Sequence, residues 1–190
     1  MEAVSYLNES DPVPYRAIST QDRPHRLVAG FTLSVPSGRL RHGLTGALGR
    51  GWQLSGIVQE QSGAPINFGN VLYLGAPVAL PSDQRSLTHW FNTAAFDRVS
   101  ANQLVYNVRT FPLRFSNVRV MALNQVDLGI TRNFSLTERW RMALRADAYN
   151  ALNHTQLGQP NTSPTSTDFG AITSTTQLPR VVEFSLRLQF

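Results

Sequence analysis

Apolar and polar residues alternate with a period of two in five separate stretches of the chain. Successive side chains of a β-strand point to opposite faces, so this period predicts strands with one apolar and one polar face. In one of the stretches, for example, apolar Val126, Leu128 and Ile130 alternate with small or polar residues. We predict strands over residues 26–35, 52–60, 126–134, 140–150 and 180–190.

The predicted strands are long, and their connections alternate in length. Each strand has about the 9–11 residues of a tilted membrane-crossing strand, against about 5–6 for most soluble strands. Residues 135–139 form a tight turn, whereas residues 61–124 and 151–179 form long connections rich in Gly, Pro, Asn, Ser and Thr. Outer-membrane barrels have short periplasmic turns and long external loops, and a periplasmic C-terminus makes the connections agree with that pattern.

These patterns predict an all-β fold of antiparallel, up-and-down strands. We expect residues 1–190 to form the C-terminal part of a transmembrane outer-membrane β-barrel, with lipid against the apolar face. The polar face suits a water-filled lumen, because charges in mid-strand stay solvated there. The charges assigned to the lumen are Arg141, Arg145, Asp147, Glu183 and Arg187.

Aromatic residues mark the ends of the predicted strands. Trp52, Phe134, Trp140 and Phe190 fall on the apolar face near the predicted periplasmic side, as in an interfacial girdle. The parity of Arg132 also points it at lipid, but its place near a strand end lowers the cost of a lipid-facing arginine to about 0–1 kcal/mol. In the long connection 61–124, Trp90, Phe91 and Phe96 are candidate ligand contacts or packing residues.

Composition excludes several other classes of protein. With 42% hydrophobic and 15% charged residues the chain is not of disordered type, and no apolar run reaches the ~20 residues of a transmembrane helix. All 17 basic residues are arginines spread over the chain without a known motif, so we expect no nucleic-acid partner. The absence of cysteine excludes disulfides and thiolate metal sites.

We expect neither catalysis nor a cofactor. The four histidines, His25, His42, His89 and His154, are not at metal-ligand spacing from one another, and no nucleophile accompanies a base. Residues 1–6 lack the basic start and apolar core of a secretory signal. Because a barrel reaches the outer membrane only after export, we expect this chain to be a fragment of a longer protein or a truncated gene product.

The last strand carries the sharpest signal in the sequence. Its apolar residues alternate up to an aromatic terminal residue: Val182, Phe184, Leu186, Leu188 and Phe190. A free terminal strand of this kind can add to an exposed sheet edge by β-augmentation. The pattern resembles the C-terminal assembly signal that the barrel assembly machinery reads, and an ordinary terminal strand ending in Phe is the alternative.

Beyond this signal, the chain resembles the C-terminal barrel of TonB-dependent receptors, in particular the Oar-like group with an N-terminal carboxypeptidase-regulatory-like domain. The resemblance extends from about residue 22 to the end. It depends on the order of the stretches 22–27 (DRPHRL), 51–58 (GWQLSGIV), 61–65 (QSGAP), 90–96 (WFNTAAF), 145–155 (RADAYNALNHT) and 179–190.

The resemblance implies a 22-stranded barrel, a plug, and uptake of a bulky ligand driven by the TonB complex. The chain has five of those strands and neither plug nor TonB box, and five strands leave two open edges that lipid does not tolerate. We therefore expect no transport by this chain alone, and the missing plug and strands are among its expected partners. The alternatives are a passive porin or adhesin-type barrel, and a soluble β-sandwich binding module.

Overall fold

A computed structural model describes residues 6–34, 51–103 and 105–190 and divides the chain into two compact units. We call them the sheet unit, which consists of His25–Gln61, Leu123–Thr155 and Gln177–Phe190, and the loop unit, which consists of Met1–Pro24, Ser62–Ala122 and Gln156–Thr176. The long connections, expected from the sequence to be loops only, fold together into a compact unit. In the described part of the chain, no helix has the length and apolar character needed to cross a bilayer.

The described residues form seven strands: β1 Arg26–Ser34, β2 Trp52–Gln61, β3 Pro65–Asn67, β4 Arg114–Arg119, β5 Leu123–Ser135, β6 Arg141–Tyr149 and β7 Val181–Gln189. Five of them pair in the order β1–β2–β5–β6–β7 into one antiparallel sheet. These five lie at the predicted positions. Their ends match the predicted ones or differ by one residue, except that β5 begins at Leu123 rather than Val126.

The register defines the two ends of the sheet. At the loop end, Gln61 lies opposite both Arg26 and Leu123, and the long connections leave the strands there. At the turn end, β5 and β6 are joined by a tight turn in which the backbone N–H of Leu136 donates to the Trp140 carbonyl at 3.0 Å. The Thr137 hydroxyl also accepts from the Trp140 N–H at 3.0 Å, which replaces a backbone partner within the turn.

The edge strands β1 and β7 run in the same direction. Each antiparallel pairing reverses the direction of the chain, and four such pairings separate β1 from β7. Closing this sheet as an antiparallel barrel therefore requires an odd number of further strands between the two edges. The resulting total is even, as it is in bacterial single-chain outer-membrane barrels.

Glycine at position 56 allows close packing on the apolar face of the sheet. Phe31 lies opposite Gly56 in the register, and a Cβ on Gly56 would lie 2.6 Å from the Phe31 ring and 2.9 Å from Leu128. The ring therefore covers the backbone that the glycine exposes, and a side chain there would force both neighbours to move.

The loop unit is built around an aromatic core. Its buried apolar side chains come from all parts of the long connections: Ile66, Phe68, Val71, Val78, Phe91, Ala95, Phe96, Phe111, Val118 and Phe169. Strands β3 and β4 pair with each other and contribute Ile66 and Val118 to this core. Short 3-10 turns occur at Ser82–Gln84, Thr93–Ala95 and Ser100–Asn102. Ring pairs in edge-to-face and stacked geometry fill the core, and such pairs add stability beyond the burial of area.

Two arginine side chains of β4 bind residues 18–22, which precede β1. Arg119 forms an ion pair with Asp22 at 2.5 Å and also donates to the Gly63 carbonyl at 3.1 Å. Arg114 donates to the carbonyl of Ile18 at 2.7 Å. The guanidinium groups thus satisfy backbone carbonyls that no strand pairs, which allows irregular chain to pack closely.

Candidate functional site

The polar face of the sheet unit carries the five charged residues assigned to the lumen. The register places them on one face, in rows that run from the loop end to the turn end: Gly129–Asp147–Glu183, Thr131–Arg145–Ser185, Asn133–Ala143–Arg187 and Ser135–Arg141–Gln189. The two carboxylates lie in the row nearest the loop end, and the three arginines lie toward the turn end. The face therefore has an acidic and a basic zone along the strand direction.

Two of these charges form a bidentate ion pair. Arg145 donates from Nε to Asp147 Oδ2 at 2.6 Å and from Nη2 to Asp147 Oδ1 at 2.8 Å. The pair lies next to Gly129, where a Cβ would lie 2.7 Å from Asp147 Oδ1. Because Gly129 has no side chain, the ion pair can lie directly against the backbone of β5. Both partners belong to β6, so the ion pair runs along one strand and not across two neighbouring strands.

The polar face is concave beside this ion pair. The hollow has a volume of about 450 Å³, and Thr32, Ser55 and Gly129 line it together with Arg145 and Asp147. Small residues on three adjacent strands leave this space because their side chains do not fill it. A face with this shape and charge can receive a polar ligand or a packed inner domain.

A buried asparagine at the loop end was not anticipated from the sequence. Asn150 has φ +50°, and its backbone N–H donates to Asp127 Oδ1 at 2.8 Å. Its side chain donates to the carbonyls of His154 and Leu178 and accepts from the His154 N–H at 2.9 Å. Asparagine tolerates this left-handed conformation better than most residues. The residues that follow β6 therefore form an ordered turn, which these hydrogen bonds stabilise. The sequence feature that could have indicated this turn is the presence of two asparagines, Asn150 and Asn153, directly after β6.

The apolar face carries an aromatic belt at the turn end. The rings of Trp140 and Phe190 lie 5.2 Å apart. Arg132 lies on this same face, opposite Trp52, and its guanidinium lies 4.2 Å from the Phe134 ring centroid and 5.1 Å from that of Trp52. Arginine over aromatic faces is stabilised by their quadrupoles, which accounts for a cation on an otherwise apolar surface. The arginine side chain is only 7% exposed.

The apolar side chains of the last strand, β7, are exposed. All nine residues of β7 are exposed, and among the described strands β7 pairs with β6 alone. Phe190, one residue beyond the strand, is 92% exposed. The five residues assigned to the assembly signal, Val182, Phe184, Leu186, Leu188 and Phe190, thus lie on or directly after an unpaired edge. Their role in assembly stays a prediction.

The three aromatic residues proposed as ligand contacts are placed differently by the structure. Phe91 and Phe96 are buried in the core of the loop unit, with ring centroids 6.1 Å apart, which favours packing, the alternative given with ligand contact. Trp90 is half-buried, and its indole Nε1 donates to the Arg119 carbonyl at 2.7 Å. Packing accounts for all three, because an aromatic pair in a hydrophobic run suits a core as well as a binding surface.

Within residues 6–34, 51–103 and 105–190, no cluster of three or more His, Cys, Asp or Glu side chains is arranged to hold a metal ion.

A comparison with protein families matches residues 2–183 to the model described as an outer membrane beta barrel domain. Neither the curated proteins nor the solved structures returned a match. The open antiparallel sheet, with one apolar and one polar face, agrees with this match. The chain therefore belongs to the outer membrane beta barrel domain family, whose place is the outer membrane.

Proposed function

We propose that this chain is the C-terminal part of the barrel of a TonB-dependent receptor, and that the whole protein takes up a bulky ligand. The observation that carries the proposal is the order of receptor-like stretches from residues 22–27 to 179–190, and the five-stranded sheet, whose edges run in the same direction, is compatible with it. A 22-stranded barrel would supply the remaining 17 strands, an odd number, as antiparallel closure requires.

The other partners follow from the same proposal. Outer-membrane lipid covers the apolar face, the remaining strands pair with β1 and β7, and a plug lies against the charged polar face. The TonB complex acts through the part of the protein that carries the plug. A soluble β-sandwich is not compatible with the family of the chain, and its five long strands form one sheet rather than two facing ones.

The DNA upstream of the Met1 codon provides the test. We expect an open reading frame that encodes an odd number of further strands, a plug domain, a TonB box and a signal peptide. An upstream frame with strands but without plug and TonB box would contradict uptake and favour a passive porin or adhesin-type barrel. A stop codon followed by a genuine start site would contradict the receptor altogether.

Removal of Phe190 is expected to reduce insertion into the outer membrane to a minor fraction of the wild-type amount. Its ring is exposed at the end of the edge strand β7, where it can be recognised during β-augmentation. The measurement is the amount of folded, heat-modifiable protein in isolated outer membranes after expression of the complete gene. Gln189→Ala, on the polar face of the same strand, is the control and should insert normally. Normal insertion without Phe190 would refute the assembly role.

A further inference from the structure

A groove of about 660 Å³ lies entirely within the loop unit, between residues 7–10, 67–71 and 105–109. The connections that form the loop unit leave the strands at the loop end of the sheet, opposite the tight turn between β5 and β6. With short turns on the periplasmic side, the groove belongs to the external connections.

Hydrogen bonds fix the three segments to one another. Asn8 accepts from the Arg109 backbone N–H at 2.6 Å and donates back to the Arg109 carbonyl at 3.4 Å. The Arg109 guanidinium donates from Nη2 to the carbonyls of Phe68 and Gly69. Asn70 donates to the Val105 carbonyl at 2.9 Å. The groove is therefore formed before any ligand arrives, which reduces the entropy that binding would otherwise lose.

Among the described residues, none forms an ion pair with the positively charged Arg109 in the groove. Arg109 is half-buried, lies 4.4 Å from the centroid of the Phe111 ring, and has no carboxylate partner within the described ranges. Its Nη1 is shielded from water and has no hydrogen-bond acceptor in the part of the chain that the structure describes. A cation in this position interacts with a nearby anion more strongly than one in bulk water, because screening is weaker. Burial also lowers the pKa of Arg109 from its ordinary value, in keeping with a charge that lacks compensation.

The rim of the groove is apolar and unusually open. Val105, Tyr106 and Val108 are 81%, 84% and 79% exposed, and all three line the groove. Apolar side chains grouped beside a cavity mark an interaction surface. Pockets that bind small molecules combine such apolar lining with a few polar groups that fix orientation.

We propose that this groove binds a small organic anion, a molecule with a carboxylate or phosphate group on an apolar body. The anionic group lies toward Arg109, and the apolar body packs against Val105, Tyr106 and Val108. Glu9, an exposed acidic residue that also lines the groove, opposes the anion and limits its affinity. The proposal concerns binding alone, so it stands or falls separately from TonB-driven uptake.

Binding is tested on the protein that carries this chain, extracted from outer membranes in detergent, by equilibrium dialysis against micelle-only controls. The probes are 4-phenylbutyrate, phenethyl phosphate, and the neutral alcohol 4-phenylbutanol. We expect the anionic probes to bind about tenfold more tightly than the alcohol, because the half-buried charge of Arg109 attracts an anion but not a neutral group. The stronger of the two anions identifies whether the site prefers carboxylate or phosphate.

Three variants separate charge from packing. Arg109→Gln should weaken anion binding about tenfold and leave alcohol binding unchanged. Glu9→Gln should strengthen anion binding, and Tyr106→Ser should weaken all three probes alike. If Arg109→Gln does not fold, the other two variants, both at exposed positions, still decide the question. Absence of binding, equal binding of acid and alcohol, or anion affinity unchanged by Glu9→Gln would overturn the proposal.

Discussion

Phe68→Ala is expected to destabilise the loop unit by about 3–5 kcal/mol, the range for phenylalanine truncated to alanine in a core. The Phe68 ring is fully buried, with ring centroids 5.0 Å from Phe91, 4.9 Å from Phe96 and 5.9 Å from Phe115. Its removal deletes these contacts and leaves a cavity at the centre of the core. The backbone around it cannot close freely, because the Phe68 carbonyl accepts from Arg109 and the Phe68 N–H donates to the Leu113 carbonyl.

Hydrogen exchange followed by mass spectrometry measures this effect in the protein that carries the chain. Peptides from residues 62–122 should lose protection, whereas peptides from β5 and β6 should keep it, because local opening free energies differ between cooperative units. Tyr106→Ala is the matched control, since it truncates an exposed aromatic in the same unit and should change stability by about 0.5 kcal/mol or less. Equal protection in Phe68→Ala and wild type would show that the aromatic core does not hold the loop unit together.

The strands of the sheet were predictable because their signal is local. A period of two needs only the order of residues within one strand, and it identified all five strands of the sheet from Arg26 to Gln189. The same pattern restricts the register without fixing it, since pairing must keep the apolar residues on one face. Even Arg132, which departs from the apolar pattern, was placed correctly on the apolar face near the end of β5.

The loop unit was not predictable because its contacts are not local. Phe91 and Phe96 pack against Phe68 and Phe169, which are far away in the sequence, and no periodicity connects these positions. Their burial could not be distinguished from exposure on the surface of an external loop. The groove was missed for the same reason, because the side chain of Asn8 meets Arg109 only after about a hundred residues of intervening chain have folded.

The arrangement of charges on the polar face was predictable only in part. Parity predicted which side chains share this face, and the register agrees for Arg141, Arg145, Asp147, Glu183 and Arg187. Parity could not predict that Arg145 pairs with Asp147 along one strand rather than across two. That choice depends on the space at Gly129, a property of the neighbouring strand.

Gly63→Ala is expected to destabilise the loop unit by about 3 kcal/mol, at the upper end of the range for overpacked sites. Gly63 is buried, and a Cβ there would overlap the Val120 carbonyl oxygen and lie 2.8 Å from the Val120 carbonyl carbon. Both neighbours are backbone atoms, so no side-chain rotation relieves the clash. The segment cannot shift easily, because the Val120 N–H donates to the Ala64 carbonyl at 2.9 Å and Arg119 donates to the Gly63 carbonyl.

Gly69→Ala is the matched control for this substitution. A Cβ on Gly69 would meet no atom within 4 Å, and Gly69 is not among the glycines with positive φ. This change should be neutral or slightly stabilising, because alanine restricts the unfolded chain more than glycine does. The measurement is the loss of exchange protection in peptides from residues 62–122, relative to β5. If both variants behave like wild type, the backbone does not approach Gly63 closely. If both lose protection equally, loss of glycine itself, and not the contact with Val120, causes the effect.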